Sequence, residues 1–248
     1  MKKIILGVLL IMGIIVFIPG YGYSGWRIET VDSNNAGVYS SLKLDKNGNS
    51  HISYAGNNVL KYASWNGSTW ITQTIDTSGV PISTSIDLNT QDKPSIAYII
   101  SNALKYCSYE NGTWSIQYID SGSYLRPASL DIDSQSLPHI SYGKGDPYPY
   151  LQYAHYNGFS WNTQGVADGN RRDLFSSIAI DTNGYPHITF YQDWDGEGYC
   201  REALKYVYWT GSDWNISFIS SGNRCTGEWS SIKICLLEWN ILAGSSCR

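Results

Sequence analysis

Several sets of residues in this chain have the types and spacing to do chemistry. Asp193, Asp195 and Glu197 place three acids in five residues, and a pair of carboxylates flanking a glycosidic bond is what hydrolysis of that bond requires. Three histidines, His51, His139 and His187, follow similar turns, but metal ligation needs nitrogens converging at about 2 Å from one ion. Arg126, Arg171, Arg172, Arg201 and Arg224 supply guanidinium forks suited to carboxylates. Lys61, Lys105 and Lys205 recur in one phrase, and Cys200 and Cys225 are two of five cysteines. The acids crowd a short run, where solvation is the ordinary state, and the arginines show no spacing that marks a triad. No catalytic residue, metal ligand set or cofactor motif is assigned from these patterns.

What positions these residues is a repeat. "VLKYASWNGSTWITQTID" (59–76) returns as "ALKYCSYENGTWSIQYID" (103–120), "YLQYAHYNGFSWNTQGVAD" (150–168) and "ALKYVYWTGSDWNISFIS" (203–220). Tyr54, Tyr98 and Tyr142 fall at intervals of 44, as do Trp70 and Trp114, and Asp76 and Asp120. A period in the forties marks an array of one supersecondary unit. Each copy holds four short runs. The first is "SSLKLD" (40–45), and the second, "HISY" (51–54), follows an Asn-Gly turn in the first and fourth copies. The third is the "LKY" phrase, and the fourth opens at Trp70, Trp114, Trp161 or Trp214. Asn-Gly supplies the positive φ of a tight hairpin. With no helical periodicity, these are four-stranded antiparallel units.

The sequence therefore predicts an all-β fold, a β-propeller over 25–234 with blades at about 38–76, 82–120, 126–168 and 174–220. Both faces of "ALKYCSY" carry apolar bulk, because a blade is covered by neighbours on both sides. The equivalent histidines and the recurring lysines are then blade-packing residues. "GWRIETVD" (25–32) matches a lone fourth strand and "EWSSIKI" (228–234) a lone first strand. The ring is incomplete or truncated, with 235–248 as an anomalous tail.

These units resemble secreted bacterial and archaeal propellers of the sialidase and fucose-lectin types. The resemblance rests on the sequence Asp-x-Asn-Gly-x-Pro-His, "ISY", "LKY" and Gly-x-x-Trp. In the sialidase Asp-box, Ser-x-Asp-x-Gly-x-Thr-Trp, Gly67, Thr69 and Trp70 fit, while Ala63 and Trp65 stand at the Ser and Asp positions. Sialidase-type hydrolysis would imply an arginine cluster and a Tyr/Glu pair. The usual Arg-Ile-Pro opening is missing, since Glu29 follows Arg27-Ile28.

Charged residues are 15% of the 248, and 20 Tyr and 10 Trp are present. A net charge of −4 excludes the basic surface that a phosphate backbone requires, so nucleic acid is no partner. Lys2 and Lys3 precede an apolar run from Ile4 to Ile18, then Pro19 and small residues. That reads as a signal peptide over 1–22, with an uncleaved membrane anchor as the alternative. The expected location is secreted, cell-surface or periplasmic.

Function is sought where the repeat rule does not explain the residues. Between second and third strands, one long loop offers Tyr148 and Tyr150, and the next, 191–203, offers Trp194, Glu197, Tyr199 and Arg201. Connections between blades add Tyr124, Arg126, Arg171, Arg172, Asp173 and Arg224 on the same side. Aromatic platforms with charged hydrogen-bonding groups suit sugar rings. The expectation is a non-enzymatic binding or adhesion module with a glycan or cell-surface partner. A degenerate sialidase-type hydrolase and a structural surface protein remain as alternatives.

Cys200 and Cys225 fall in two loops of one blade face, within reach of the roughly 4.4–6.8 Å Cα separation of a disulfide, and export permits oxidation. Cys107, in register with Ala63 and Ala154, is expected as a buried free thiol. Non-reducing peptide mapping of exported protein should recover a Cys200–Cys225 cross-linked peptide. Alkylation of both without reductant would reject the bridge.

Overall fold

A computed structural model describes residues 28–33, 35–145, 150–167, 175–196, 199–222, 233–237 and 240–244, with backbone alone for 192–202, 220–222 and the last two stretches. The chain divides into two compact units, 1–30 and 31–248. Described residues 28–30 of the first have no regular secondary structure, and the expected leader lies outside the described residues. No helix among the described residues is long and apolar enough to cross a membrane.

The second unit is all β. Blade one pairs β1 (Ala36–Leu44), β2 (Ser50–Gly56), β3 (Val59–Trp65) and β4 (Trp70–Asp76) antiparallel in chain order. Blade two follows with β5 (Pro81–Leu88), β6 (Pro94–Ile100), β7 (Ala103–Glu110) and β8 (Thr113–Ser121). Blade three is β9 (Arg126–Ile132), β10 (Pro138–Lys144), β11 (Tyr150–Tyr156) and β12 (Trp161–Ala167). Blade four is β13 (Ser176–Ile180), β14 (Pro186–Gly196), β15 (Tyr199–Trp209) and β16 (Trp214–Gly222). A hairpin of β17 (Lys233–Leu237) and β18 (Asn240–Gly244) comes last. The first strands β1, β5, β9, β13 and β17 neighbour one another in order, which puts them inside and the tryptophan-initiated strands outside. This is a β-propeller, as the repeat requires.

The turn after each first strand is built by its own sequence. Asp45 Oδ1 accepts from Asn47 N at 2.9 Å and Asn49 N at 2.7 Å, and Gly48 takes φ +80°, a region that favours glycine. Asp133 and Asp181 repeat the pattern, with Asn89 in blade two.

The buried apolar residues fall into three clusters, one per blade junction. Leu60 and Tyr62 of blade one meet Ile86, Ile96, Tyr98 and Cys107 of blade two. Leu104 and Tyr106 meet Leu130, Ile140 and Tyr142, and Leu151 and Tyr153 meet Ile178, Ile188, Phe190 and Val207. Leu104 and Cys107, of opposite parity in one strand, thus serve different junctions. Cys107 is buried and free, and burial pushes its thiol far above the ordinary range.

Three polar devices join the blades. On the inside, Ser41, Ser85 and Ser129 accept from the backbone N–H of Ile86, Leu130 and Ile178 in the next blade, at 3.2, 3.0 and 3.3 Å. Asp87 and Asp131 do the same for Ile132 and Ile180, at 2.8 and 2.6 Å. On the outside, Trp114 Nε1 donates to Gln73 at 2.7 Å and Trp161 Nε1 to Gln117 at 2.6 Å. Each indole stands edge-on to a tyrosine of the preceding blade, Tyr62 or Tyr106, with centroids 5.2 Å apart. That tyrosine is fixed by the histidine expected to pack there, Tyr62 to His51 and Tyr153 to His139, both at 2.5 Å. Ser95 replaces the histidine in blade two and accepts from Tyr106 at 2.9 Å.

The third device is a latch. The carboxylate ending a fourth strand receives a tyrosine hydroxyl and a lysine of the next blade. Asp76 Oδ2 takes Tyr98 at 2.8 Å and Lys105 at 3.0 Å. Asp32 takes Tyr54 at 3.0 Å and Lys61 at 2.5 Å. Asp120 takes Tyr142 at 2.6 Å, with Lys144 instead of a third-strand lysine at 2.7 Å. Burial alone would raise the Asp76 carboxyl, but hydrogen bonds from Ser78, Lys105 and Tyr98 outweigh it and hold it down at about 2.

Three expectations need correction. Residues 28–33 of the expected lone fourth strand are not a strand, although Asp32 still occupies its latch position. The lone first strand near the C-terminus is not alone: Lys233–Leu237 pairs with Asn240–Gly244, so part of the supposed tail satisfies its backbone groups as a hairpin. The 191–203 loop is largely hairpin as well. β14 and β15 continue pairing through Trp194↔Arg201, Asp195↔Cys200 and Gly196↔Tyr199.

Truncating Trp114 to Ala should cost about 3–5 kcal/mol in denaturant unfolding, against almost nothing for Phe159→Ala, whose ring is exposed. Asp131 behaves differently from Asp76. Burial first, and the neighbouring Asp87 carboxylate second, push its carboxyl above the ordinary value. The unfolded chain therefore releases this proton at lower pH than the fold does. The associated stability is complete below about pH 4 and is lost as pH rises through the higher folded value. Asp131→Asn should raise the melting temperature at pH 7 and match the parent near pH 4. A variant less stable than the parent at pH 7 would contradict this.

Candidate functional site

The junction between blades three and four departs from the others. Register defines the latch position: Leu60 pairs with Asp76 and Leu104 with Asp120, but Leu151 pairs with Ala167. Alanine thus stands where the carboxylate should be, and Asp168, at the end of the repeated phrase, falls outside the described residues. Across the junction, Phe190 replaces the tyrosine that would have donated to it, and only Lys205 is retained. Its ammonium lies 4.7 Å from the Phe218 ring centroid and 6.0 Å from that of Phe190. Burial holds its pKa below the usual lysine value.

A cavity of about 330 Å³ opens at this junction, lined by Tyr150, Gln152, Gly165, Val166, Ala167 and Ile216. Its origin is legible in the register. Gly165 pairs with Gln152 where Thr74 pairs with Lys61, Tyr118 with Lys105 and Phe218 with Lys205. The smallest residue therefore replaces a side chain at the blade edge. A phenol ring, a carboxamide, strand backbone and aliphatic walls make a surface with one apolar side and several hydrogen-bonding groups. Such linings orient small polar ligands.

Of the residues expected to bind ligand, three have described side chains, and all three belong to the loop end of blade three. Tyr124 is exposed in the connection before β9, Arg126 opens β9 opposite Gly143, and Tyr150 opens β11 opposite Lys144. The connection leaving blade two is tied to that blade's own β6–β7 turn by Gly122 N, which donates to Asn102 O at 3.2 Å. Only Tyr150 lines the cavity. Trp194 and Arg201 are directly paired in the β14–β15 extension, and Tyr199 pairs with Gly196. Tyr148, Arg171, Arg172, Asp173, Glu197 and Arg224 lie outside the described residues, as does Cys225; Cys200 pairs with Asp195.

The sequence reading passed over Gln152, Gly165, Ala167 and Ile216. Their signal was present as breaks in the repeat: Lys to Gln, Thr or Tyr to Gly, Asp to Ala, and Tyr to Phe190 across the junction. A second, smaller cavity of about 90 Å³ lies among Asn35, Tyr39, Gly56, Asn58 and Pro81 at the loop end of blade one.

Fold and junctions together define an all-β propeller whose junction between blades three and four departs from the repeat. No model of a known protein family and no curated protein matches the chain. Solved structures match by shape. An ulvan lyase, described as a new family of polysaccharide lyase, superposes with a TM-score of 0.58 at 11% identity, over 79% of this chain and 57% of that one. An alpha-L-arabinanase from Penicillium chrysogenum, complexed with arabinobiose, has a TM-score of 0.58 at 10% identity, over 85% and 75%. A mutant of AofleA from Arthrobotrys oligospora has 0.51 at 16%, over 74% and 58%. The chain thus spans less than two thirds of the lyase and of AofleA. At these identities the likeness is one of fold.

Proposed function

We propose that this protein is an exported, non-enzymatic β-propeller that binds saccharide at the junction of blades three and four. The observation that carries this reading is the cavity beside Tyr150. An aromatic ring and Ile216 offer apolar walls to the C–H face of a pyranose, while Gln152 and the Gly165–Ala167 backbone can meet its hydroxyls. The described lining holds no carboxylate, whereas glycoside hydrolysis needs two facing the scissile bond. Propellers of similar fold include an arabinanase solved with arabinobiose and an ulvan lyase solved with a saccharide containing GlcA and Rha3S. Trp194 and Arg201, on the β14–β15 extension, are candidate outer contacts on a longer chain, with Tyr124 and Arg126 on the blade-three side. Export follows from the residue 1–22 leader, and the partner is a glycan or glycosylated cell-surface component.

A glycan array with the exported portion should show binding, and Gly165→Tyr should weaken it by about tenfold or more, some 1.4 kcal/mol. The substitution introduces the side chain that blade two carries at Tyr118. A Cβ at residue 165 meets nothing nearer than Gln152 Nε2 at 3.5 Å, so the melting temperature should hold. Undiminished binding by a folded Gly165→Tyr variant would remove the cavity from the proposal, and binding to no glycan would end it.

A further inference from the structure

The vacant latch deepens this reading. In the blades where a third-strand lysine occupies this register, Lys61 and Lys105 each meet a carboxylate from the segment that precedes their blade. Lys205 holds the same register, yet the residue opposite Leu151 is Ala167 and the accompanying tyrosine has become Phe190. Two of the three latch members have changed together, on opposite sides of one junction, while the cation has stayed. Among the described residues no carboxylate is paired with Lys205; a partly buried ammonium so placed is costly, and aromatic faces compensate it only in part. Replacing aspartate by alanine also removes a carboxyl group's volume from the residue that lines the cavity, beside Gly165 and Val166.

We propose that the ligand itself supplies the missing carboxylate: the junction of blades three and four takes an acidic saccharide, a uronic acid, whose carboxylate meets Lys205 where a latch aspartate would otherwise lie. The proposal rests on the saccharide-binding reading and names its ligand class. In this arrangement Tyr150 and Ile216 flank the sugar ring, Gln152 meets ring hydroxyls, and the sugar carboxylate replaces in trans the contact that Asp76 makes to Lys105 in cis. The ligand completes the latch contact at this blade junction.

The test uses matched ligands: a uronate oligosaccharide and its carboxyl-reduced neutral counterpart, titrated calorimetrically into the exported portion. The acid form should bind at least tenfold more tightly. Lys205→Met should bring both forms to similar affinity. Ala167→Asp combined with Phe190→Tyr rebuilds the latch inside the protein, so it should abolish the preference for the acid while raising the melting temperature. That double variant also covers the case in which Lys205→Met fails to fold. Equal affinity of the wild-type protein for both forms overturns the carboxylate inference and leaves saccharide binding standing. Binding of neither form overturns both. An undiminished acid preference in the folded double variant assigns the charge recognition elsewhere and overturns the role of Lys205.

Discussion

Everything in this fold depends on one blade leaving its neighbour's polar groups to be satisfied from outside. The inner edge of a first strand presents backbone N–H groups that its own sheet does not use, and serine and aspartate from the preceding blade accept them. Buried N–H groups without acceptors are expensive. A blade displaced by one register step would lose those bonds together with its tryptophan–glutamine contact and its latch. Apolar burial supplies the driving force at each junction, but it is indifferent to small displacements. The polar set is what specifies alignment, in line with the weak net stability expected of buried ion pairs.

Direction follows from the same constraint. In the serine, aspartate, tryptophan–glutamine and latch contacts the acceptors come from the earlier blade and the donors from the later one, whereas Lys43 and Lys46 of blade one reach forward to Asp87 and Thr90 of blade two. The side of blade one that faces away from blade two is more open among the described residues. Leu42 is 57% exposed, while its counterparts Ile86, Leu130 and Ile178 are 4–6% exposed. Asp32 reaches this side and holds Tyr54 and Lys61.

The sequence disclosed the fold because its repeat records local rules. The Asp–Asn–Gly turns, the alternating apolar residues and the tryptophan starts each act within a few residues, and four copies made the strands unambiguous. Register across a bulge was less legible. The same bulge, at Ile75, Ile119 and Val166, precedes the latch position in the first three blades, so counting from Trp161 puts Ala167 there, whereas alignment by the last aspartate conceals it. The β14–β15 extension was hidden for a different reason: acids, glycine and aromatics in 191–203 read as a loop, whereas cross-strand pairing, which no local rule states, carries the ladder outward. The candidate site is a set of departures, and a departure shows only after the rule has been placed in three dimensions.

The changes at the third junction are informative about how the repeat varies. In blade two, Asn89 and Ser95 replace an aspartate and a histidine that belong to one sheet, and the sheet keeps its turn and its tyrosine contact. Ala167 and Phe190 belong to different sheets and depart as a pair. Departures from the repeat in this chain thus come in two kinds, one contained within a blade and the other shared across the gap between two blades. The gap between blades is in this sense a separable unit of the fold, and its contacts can differ without either bordering sheet changing its strands.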